Sequence, residues 1–272
     1  KRLSLRGIVP GKGDTVLIST YGGIYGVEVP GLRTFSMNEE KEQMWLSGLK
    51  QPEGEIWGST PTKKVAVYSE EGQLLRKIGL RLESSKPNPS GYKLFKDSRQ
   101  QVWLTTTEGV ALYDTLRQEF RSLSELSRSL GIYGKPCYHL AQQDSLLWVS
   151  FEDGLRSFTL DGEAAALQLD EKQLGVNGFE WAGPDTCWLA TAGQGLWRWT
   201  PSSGELRQFT AWQHGLSDDY ISSVHVDSQG RLWLPTNQGL SCFIPATLQT
   251  NVYHRSAGLH GDEFNRFSCY ES

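Results

Sequence analysis

The sequence predicts an all-β chain built as a β-propeller, with six complete four-stranded blades plus the first strand of a seventh. Three observations carry that prediction. Trp57, Trp103, Trp148, Trp188 and Trp233 recur at spacings of 46, 45, 40 and 45 residues, each inside a short apolar run. A glycine follows the anchor six or seven residues later at Gly109, Gly154, Gly195 and Gly239, and Gly23 stands six residues after Leu17, which fills the anchor slot of the first unit. Finally, 29 glycines and 11 prolines interrupt any helical pattern before three turns accumulate. A period of about 40–50 residues holding several short strands marks a propeller rather than a helical solenoid.

The units run over residues 1–40, 41–82, 83–130, 131–174, 175–215 and 216–258, with 259–272 opening a seventh, all in one domain. The clearest unit is Asp227-Ser-Gln-Gly-Arg-Leu-Trp-Leu-Pro-Thr-Asn-Gln-Gly-Leu240. Asp227 and Gly230 suit the first and last places of a β-turn. Leu232, Trp233 and Leu234 form the continuous apolar run of a strand buried on both faces. Thr236 to Gly239 turns the chain again, with Gly239 free to take positive φ. In this sixth unit Tyr220–Val226 is expected as the inner strand, Arg231–Pro235 as the second, Leu240–Ile244 as the third and Asn251–His254 as the outer one. The equivalent anchor runs are Glu55–Thr60, Gln101–Thr106, Leu146–Phe151 and Thr186–Thr191. The second unit departs from the pattern, with Lys63 in the glycine slot. Ser122–Leu130 carries Leu123, Leu126 and Leu130 at helical spacing and is expected to make one or two turns.

Each blade must bury both faces against its neighbours, so the tryptophan of its second strand is expected to fill the wedge between blades. Trp233→Ala is expected to cost roughly 3–5 kcal/mol on that placement. Trp197 and Trp199 are expected to pack between blades five and six. Trp212 is expected at the rim, exposed.

A net charge of −4 with acids and bases interspersed speaks against nucleic acid, and no polybasic patch addresses a membrane. No apolar run approaches about 18 residues. The chain opens Lys1-Arg2-Leu3 with no signal peptide, and reads as a fragment or mature piece. Cys137, Cys187, Cys242 and Cys269 show neither C-x-x-C nor zinc spacing, and read as small buried hydrophobes. His139, His214, His225, His254 and His260 fall in different units without catalytic spacing. No metal, cofactor or catalytic set is expected. Asp218 and Asp219 are a carboxylate pair suited to acid–base work or a cation, but read first as acceptors for turn amides.

Binding is better argued from loops carried on a rigid scaffold. The turns between second and third strands supply Tyr21, Lys63, Glu108, Asp153, Gln194, Asn237 and Gln238. The loops leading into inner strands supply Tyr133, Asn177, Asp219 and Tyr220. Amides, carboxylates and aromatic rings together suit an oligosaccharide, whose hydroxyls pair with the polar groups and whose C–H face stacks on tyrosine. The same residues also serve as ordinary turn formers.

Asp227–Leu240 closely resembles the two-component regulator propeller repeat. Gly215-Leu-Ser-Asp-Asp-Tyr-Ile221 resembles the linker before that repeat, and Gly258-Leu-His-Gly-Asp-Glu-Phe-Asn265 resembles the family's closing signature. The resemblance covers all six units, strongest in three, five and six. It implies the periplasmic sensor region of a membrane histidine kinase, often hybrid, which is a receptor rather than a catalyst. It also implies a neighbouring propeller and an Ig-like domain in the same chain, and a homodimer in the full-length protein. A propeller lyase or hydrolase and a protein-docking propeller are the rival expectations.

Overall fold

Runs of Val, Ile, Leu, Thr and aromatic residues, closed by Gly, Asp and Pro turns, fold as short strands that zigzag antiparallel through successive hairpins. This computed structural model describes residues 5–10, 15–20, 23–28, 33–36, 46–60, 64–83, 90–171, 173–259 and 261–264. The chain divides into two compact units. The first holds residues up to Leu140 with the turn Leu160–Glu163, and the second holds Ala141–Thr159 and Ala164–Arg266.

In the first unit, one array is β1 (Leu5–Pro10), β2 (Thr15–Thr20), β3 (Gly23–Glu28) and β4 (Arg33–Ser36). The next is β5 (Ser47–Lys50), β6 (Ile56–Ser59), β7 (Lys64–Tyr68) and β8 (Leu74–Arg81). The third is β9 (Gly91–Lys96), β10 (Val102–Thr106), β11 (Gly109–Asp114) and β12 (Glu119–Ser122). The expected helical stretch follows as α1 (Ser124–Ser129), with Leu126 buried.

The second and third arrays are not separate sheets. The long strand β8 runs past its own hairpin and pairs in parallel with β12, Gly79 to Glu119, Leu80 to Phe120 and Arg81 to Arg121, which makes one eight-stranded sheet. The inner faces enclose Trp57, Val65, Val67, Ile78, Leu94, Leu104 and Phe120. Trp57 meets the next blade edge-on, 4.7 Å from Tyr113 and 6.2 Å from Phe120 between ring centroids.

The second unit carries β13 (Leu140–Gln143), β14 (Leu146–Phe151), β15 (Gly154–Thr159) and β16 (Ala164–Asp170), then β17 (Val176–Trp181), β18 (Cys187–Thr191), β19 (Leu196–Thr200) and β20 (Glu205–Phe209). A single helical turn, α2 (Ala211–His214), leads to β21 (His225–Val226), β22 (Leu232–Thr236), β23 (Gly239–Ile244) and β24 (Gln249–Tyr253). The inner strand of the sixth blade is therefore much shorter than the expected Tyr220–Val226. Ser222 donates its N–H to the Pro235 carbonyl, but Pro235 has no N–H to return, so only an isolated bridge, Ile221 to Thr236, survives above β21.

The wedge expectation holds for Trp148 and Trp188. Trp148 packs 5.2 Å from Trp181 and 5.5 Å from Trp199 of the fifth blade, and Trp188 packs 6.3 Å from Phe243 of the sixth. It does not hold for Trp233. That ring is half-buried, stacked on Tyr253 of its own blade at 5.8 Å, with the Arg231 guanidinium 5.5 Å above it. Trp197 and Trp199 also differ from expectation. Both join the cluster of Trp148, Cys187 and Leu189, toward the fourth blade instead of the sixth, because Trp199 shares a sheet face with its cross-strand partner Cys187. Trp212 is 93% exposed, as expected of a rim residue. Cys137, Cys187 and Cys242 are buried. Leu17's side chain and the expected strand of the seventh blade lie outside the described residues.

Candidate functional site

The turn between second and third strands is built by a threonine. Thr106, Thr191 and Thr236 close β10, β18 and β22, and all three are buried. Each hydroxyl donates to the carbonyl of the turn glycine: Gly109 at 3.0 Å, Gly195 at 2.6 Å and Gly239 at 2.8 Å. Each also accepts the N–H of the residue before that glycine: Glu108, Gln194 and Gln238. The carbonyl of the same threonine takes the first N–H of the next lead-in, from Cys137, Ile221 and Phe264 respectively. One side chain thus fixes its own turn while its backbone positions the following blade.

The lead-in loops repeat as well. Asp219 accepts the N–H of Ala211, the first residue of α2, on Oδ1 and the N–H of Gly195 on its carbonyl. Asp262 does the same for Arg255, the first residue of a short 3-10 turn, and for Gly239. Both short helical turns end on a left-handed glycine, Gly215 and Gly258. Asp218 accepts the Tyr220 N–H on one oxygen and the Gln238 side-chain amide on the other. The pair therefore serves turn amides, its first-ranked reading.

In the second unit several of the predicted binding residues form a hydrogen-bonded run. Asp153 accepts from the Gln173 N–H at 3.3 Å, and the Gln173 carbonyl accepts from the Gln194 side chain. The Gln194 carbonyl accepts from the Trp197 indole at 3.0 Å and the Gln208 amide at 2.9 Å. Asp219, Tyr220, Asp218 and Gln238 continue along the turns, and Asn237 is exposed beside them. Two predicted residues are not rim groups. Glu108 is buried at the turn of the third blade. Asn177 is 3% exposed and its amide donates to the Ile221 carbonyl at 2.8 Å, so it joins inner strands instead of facing a ligand. Tyr133, in the first unit, stays exposed, but Arg128 covers one face of its ring at 4.3 Å and its hydroxyl donates to the Glu83 carbonyl. Tyr21 and Lys63 lie outside the described residues.

Sequence reasoning missed Gln173, which sits at φ 65° with no turn signature around it. It also missed Tyr92 and Tyr138, whose rings meet at 5.7 Å. Their signal lay in register: Tyr92 follows Gly91, the partner of Thr106, and Tyr138 follows Cys137, which bonds the Thr106 carbonyl.

At the opposite end of the second strand, aspartate anchors the tryptophan. Asp227 Oδ1 accepts the N–H groups of Gln229 and Arg231, while Oδ2 accepts the Trp233 indole at 2.9 Å. Asp97 repeats this with Arg99, Gln101 and Trp103. The Trp233 indole, the two amides and Arg231 hold the Asp227 carboxyl well below the usual carboxylate range. A depressed folded-state pKa stabilises the fold above the unfolded pKa of about 3.9, and that stabilisation fades as pH falls below it. Thermal melts between neutral pH and strong acid should therefore show the chain losing stability below about pH 4. Asp227→Asn should start lower at neutral pH and follow a flatter acid limb; parallel curves would contradict this. Burial pushes the Cys187 thiol well above its ordinary value, so it is not poised as a nucleophile. Among the described residues no three His, Cys, Asp or Glu side chains converge as a metal site, and no helix is long and apolar enough to cross a membrane.

Repeated four-stranded arrays wedged by tryptophan, with threonine-built turns, define a β-propeller, and solved propellers superpose on the chain. Virginiamycin B lyase from Staphylococcus aureus matches with a TM-score of 0.71 at 14% identity, over 93% of this chain and 85% of that one. An extracellular domain assigned to a one component system of B. thetaiotaomicron matches with a TM-score of 0.71 at 16% identity, over 97% of this chain. One assigned to a hybrid two component system of the same organism matches with a TM-score of 0.62 at 16% identity, over 94%. The chain spans 35% and 41% of the length of these two domains. No curated protein sequence matches. The sequence model of the two component regulator propeller family matches residues 215–237, so the chain carries a repeat of that family there. That stretch runs from the left-handed Gly215 through the Asp219 lead-in and the Asp227–Trp233 pair to the Thr236 turn.

Proposed function

We propose that this chain is an extracytoplasmic signal-sensing propeller, periplasmic in setting, belonging to a membrane-bound two-component histidine kinase. The observation that carries the reading is the match over residues 215–237, because each motif in that stretch has a structural duty in this chain. The two B. thetaiotaomicron domains support it through the shared fold. The signal is an oligosaccharide held on the loops of the second unit. Tyr220 offers a ring, and Asn237, Gln238, Gln194 and Asp153 offer amide and carboxylate groups. Such a ligand signals only if it binds two states of the receptor unequally.

A thermal-shift screen of neutral and acidic oligosaccharides tests this. A true ligand at a hundredfold excess over its Kd should raise the melting temperature by roughly 5–10 °C. Tyr220→Ala should abolish the shift while leaving the unliganded melt close to wild type. No shift with any saccharide would reject the carbohydrate signal.

A further inference from the structure

Among the described tryptophans Trp212 alone is exposed, and at 93% almost the whole residue meets water. It stands on α2, in the lead-in to the sixth blade, and that turn is pinned by its neighbours. The Thr210 hydroxyl accepts the Gln213 N–H at 3.2 Å, and the Thr210 N–H donates to His214 Nδ1 at 3.1 Å. The His214 carbonyl accepts from the Thr250 hydroxyl at 2.6 Å, and its ring packs 5.0 Å from Phe209 and 6.4 Å from Phe243. The left-handed Gly215 closes the turn by donating its N–H to the Ala211 carbonyl. A lone exposed leucine such as Leu116 needs no explanation. A tryptophan held out on a fixed turn differs, because its ring adds almost nothing to the core while its backbone is already ordered.

Hydrogen bonds bring this residue to the loops offered above for a saccharide. Asp219 accepts the Ala211 N–H on Oδ1 at 2.7 Å and the Gly195 N–H on its carbonyl at 2.8 Å. Trp212, Tyr220 and Gln194 each lie one residue from that junction, and the exposed Gln213 follows Trp212. A ring with amides around it suits a sugar. The polarised C–H groups of one sugar face meet the negative π face, while hydroxyls meet the amides. Charge narrows the kind of sugar. By sequence, the loops at this end between β14 and β23 carry Glu152, Asp153, Glu171, Asp218 and Asp219 against one lysine, Lys172. A uronate or sulfate would face that excess of negative charge.

We propose that Trp212 is the stacking platform of this site, and that the ring it holds belongs to a neutral oligosaccharide. The proposal rests on the carbohydrate-sensing reading and deepens it. A lone ring with polar neighbours is too small for a protein interface, which needs about 800 Å² on each side. It matches one pyranose ring, and because the turn is ordered beforehand little conformational entropy is lost on binding.

Titration calorimetry of the 272-residue chain tests it, with neutral oligosaccharides of glucose, xylose, galactose and mannose set beside oligogalacturonate and sulfated oligosaccharides. A neutral oligosaccharide should bind and the acidic ones should not. Trp212→Ala should weaken that binding at least about tenfold, and Trp212→Phe, which keeps a ring, should recover most of it. Both variants should melt like the wild type without ligand, since Trp212 is almost wholly exposed. The bound oligosaccharide should also shield tryptophan fluorescence from acrylamide quenching in the wild type and not in Trp212→Phe. Neutral binding undiminished in Trp212→Ala would overturn the platform and leave the carbohydrate reading standing. Binding confined to acidic saccharides would overturn the neutral ligand and likewise leave that reading standing. No binding by any saccharide would reject the reading and the proposal together.

Discussion

Trp188→Ala should destabilise the chain by roughly 3–5 kcal/mol, while Trp233→Ala should cost only about 1–2 kcal/mol. The two rings occupy the same slot, mid-strand in β18 and β22, and differ in what covers them. Trp188 is 4% exposed and sits among Leu196, Phe209, Leu232, Leu234 and Phe243. Truncation there leaves a void that several side chains must collapse into. Trp233 is half-buried against Tyr253 and Arg231, so removing it mostly uncovers surface that water can reach. Part of the remaining cost is the Asp227 carboxylate losing its indole donor. Denaturant unfolding of both variants gives the comparison. Equal losses would show that the slot, and not its cover, sets the energy.

Gly154→Ala should be nearly as damaging, at about 3 kcal/mol or more. Gly154 opens β15 at φ +121°, a conformation that side chains with a Cβ rarely adopt, and strain of that kind costs about 1–3 kcal/mol. The added carbon would also stand 2.1 Å from the Leu169 carbonyl oxygen on β16. Backbone cannot swing aside as a flexible side chain would, so overpacking adds about 1–3 kcal/mol. Gly131, at φ +69° with nothing within 4 Å of a built Cβ, is the control. Alanine there should show strain without collision and cost clearly less by the same measurement.

The propeller was legible because its two strongest signals are local. An apolar triplet with a central tryptophan and a glycine six or seven residues on can be read without knowing what lies across the sheet. The anchor strands β10, β18 and β22 fall close to their expected places for that reason. Long-range pairing was not legible. The parallel ladder of β8 and β12 joins residues some forty positions apart, and no composition marks Gly79 or Glu119 for it. The direction of Trp199 was misread because alternation gives a face but not the neighbour it looks at. The candidate site suffered most. Turn residues chosen for polar character proved to be divided between exposed groups such as Asn237 and buried latches such as Asn177. Only the distance from Asn177 to the Ile221 carbonyl separates the two classes, and that distance belongs to another blade.

The threonine that ends each strong second strand has a consequence for how repeats of this kind diverge. Between Thr191 and Gly195 the chain has one more residue than between Thr106 and Gly109 or Thr236 and Gly239. The hydroxyl still captures the residue just before the glycine, and the carbonyl still receives the following blade. The surplus is pushed into solvent at Ala192 and Gly193, both exposed. Insertions at this corner are thereby uncoupled from the spacing of the blades, so the corner can vary in length and chemistry while the scaffold keeps its pitch.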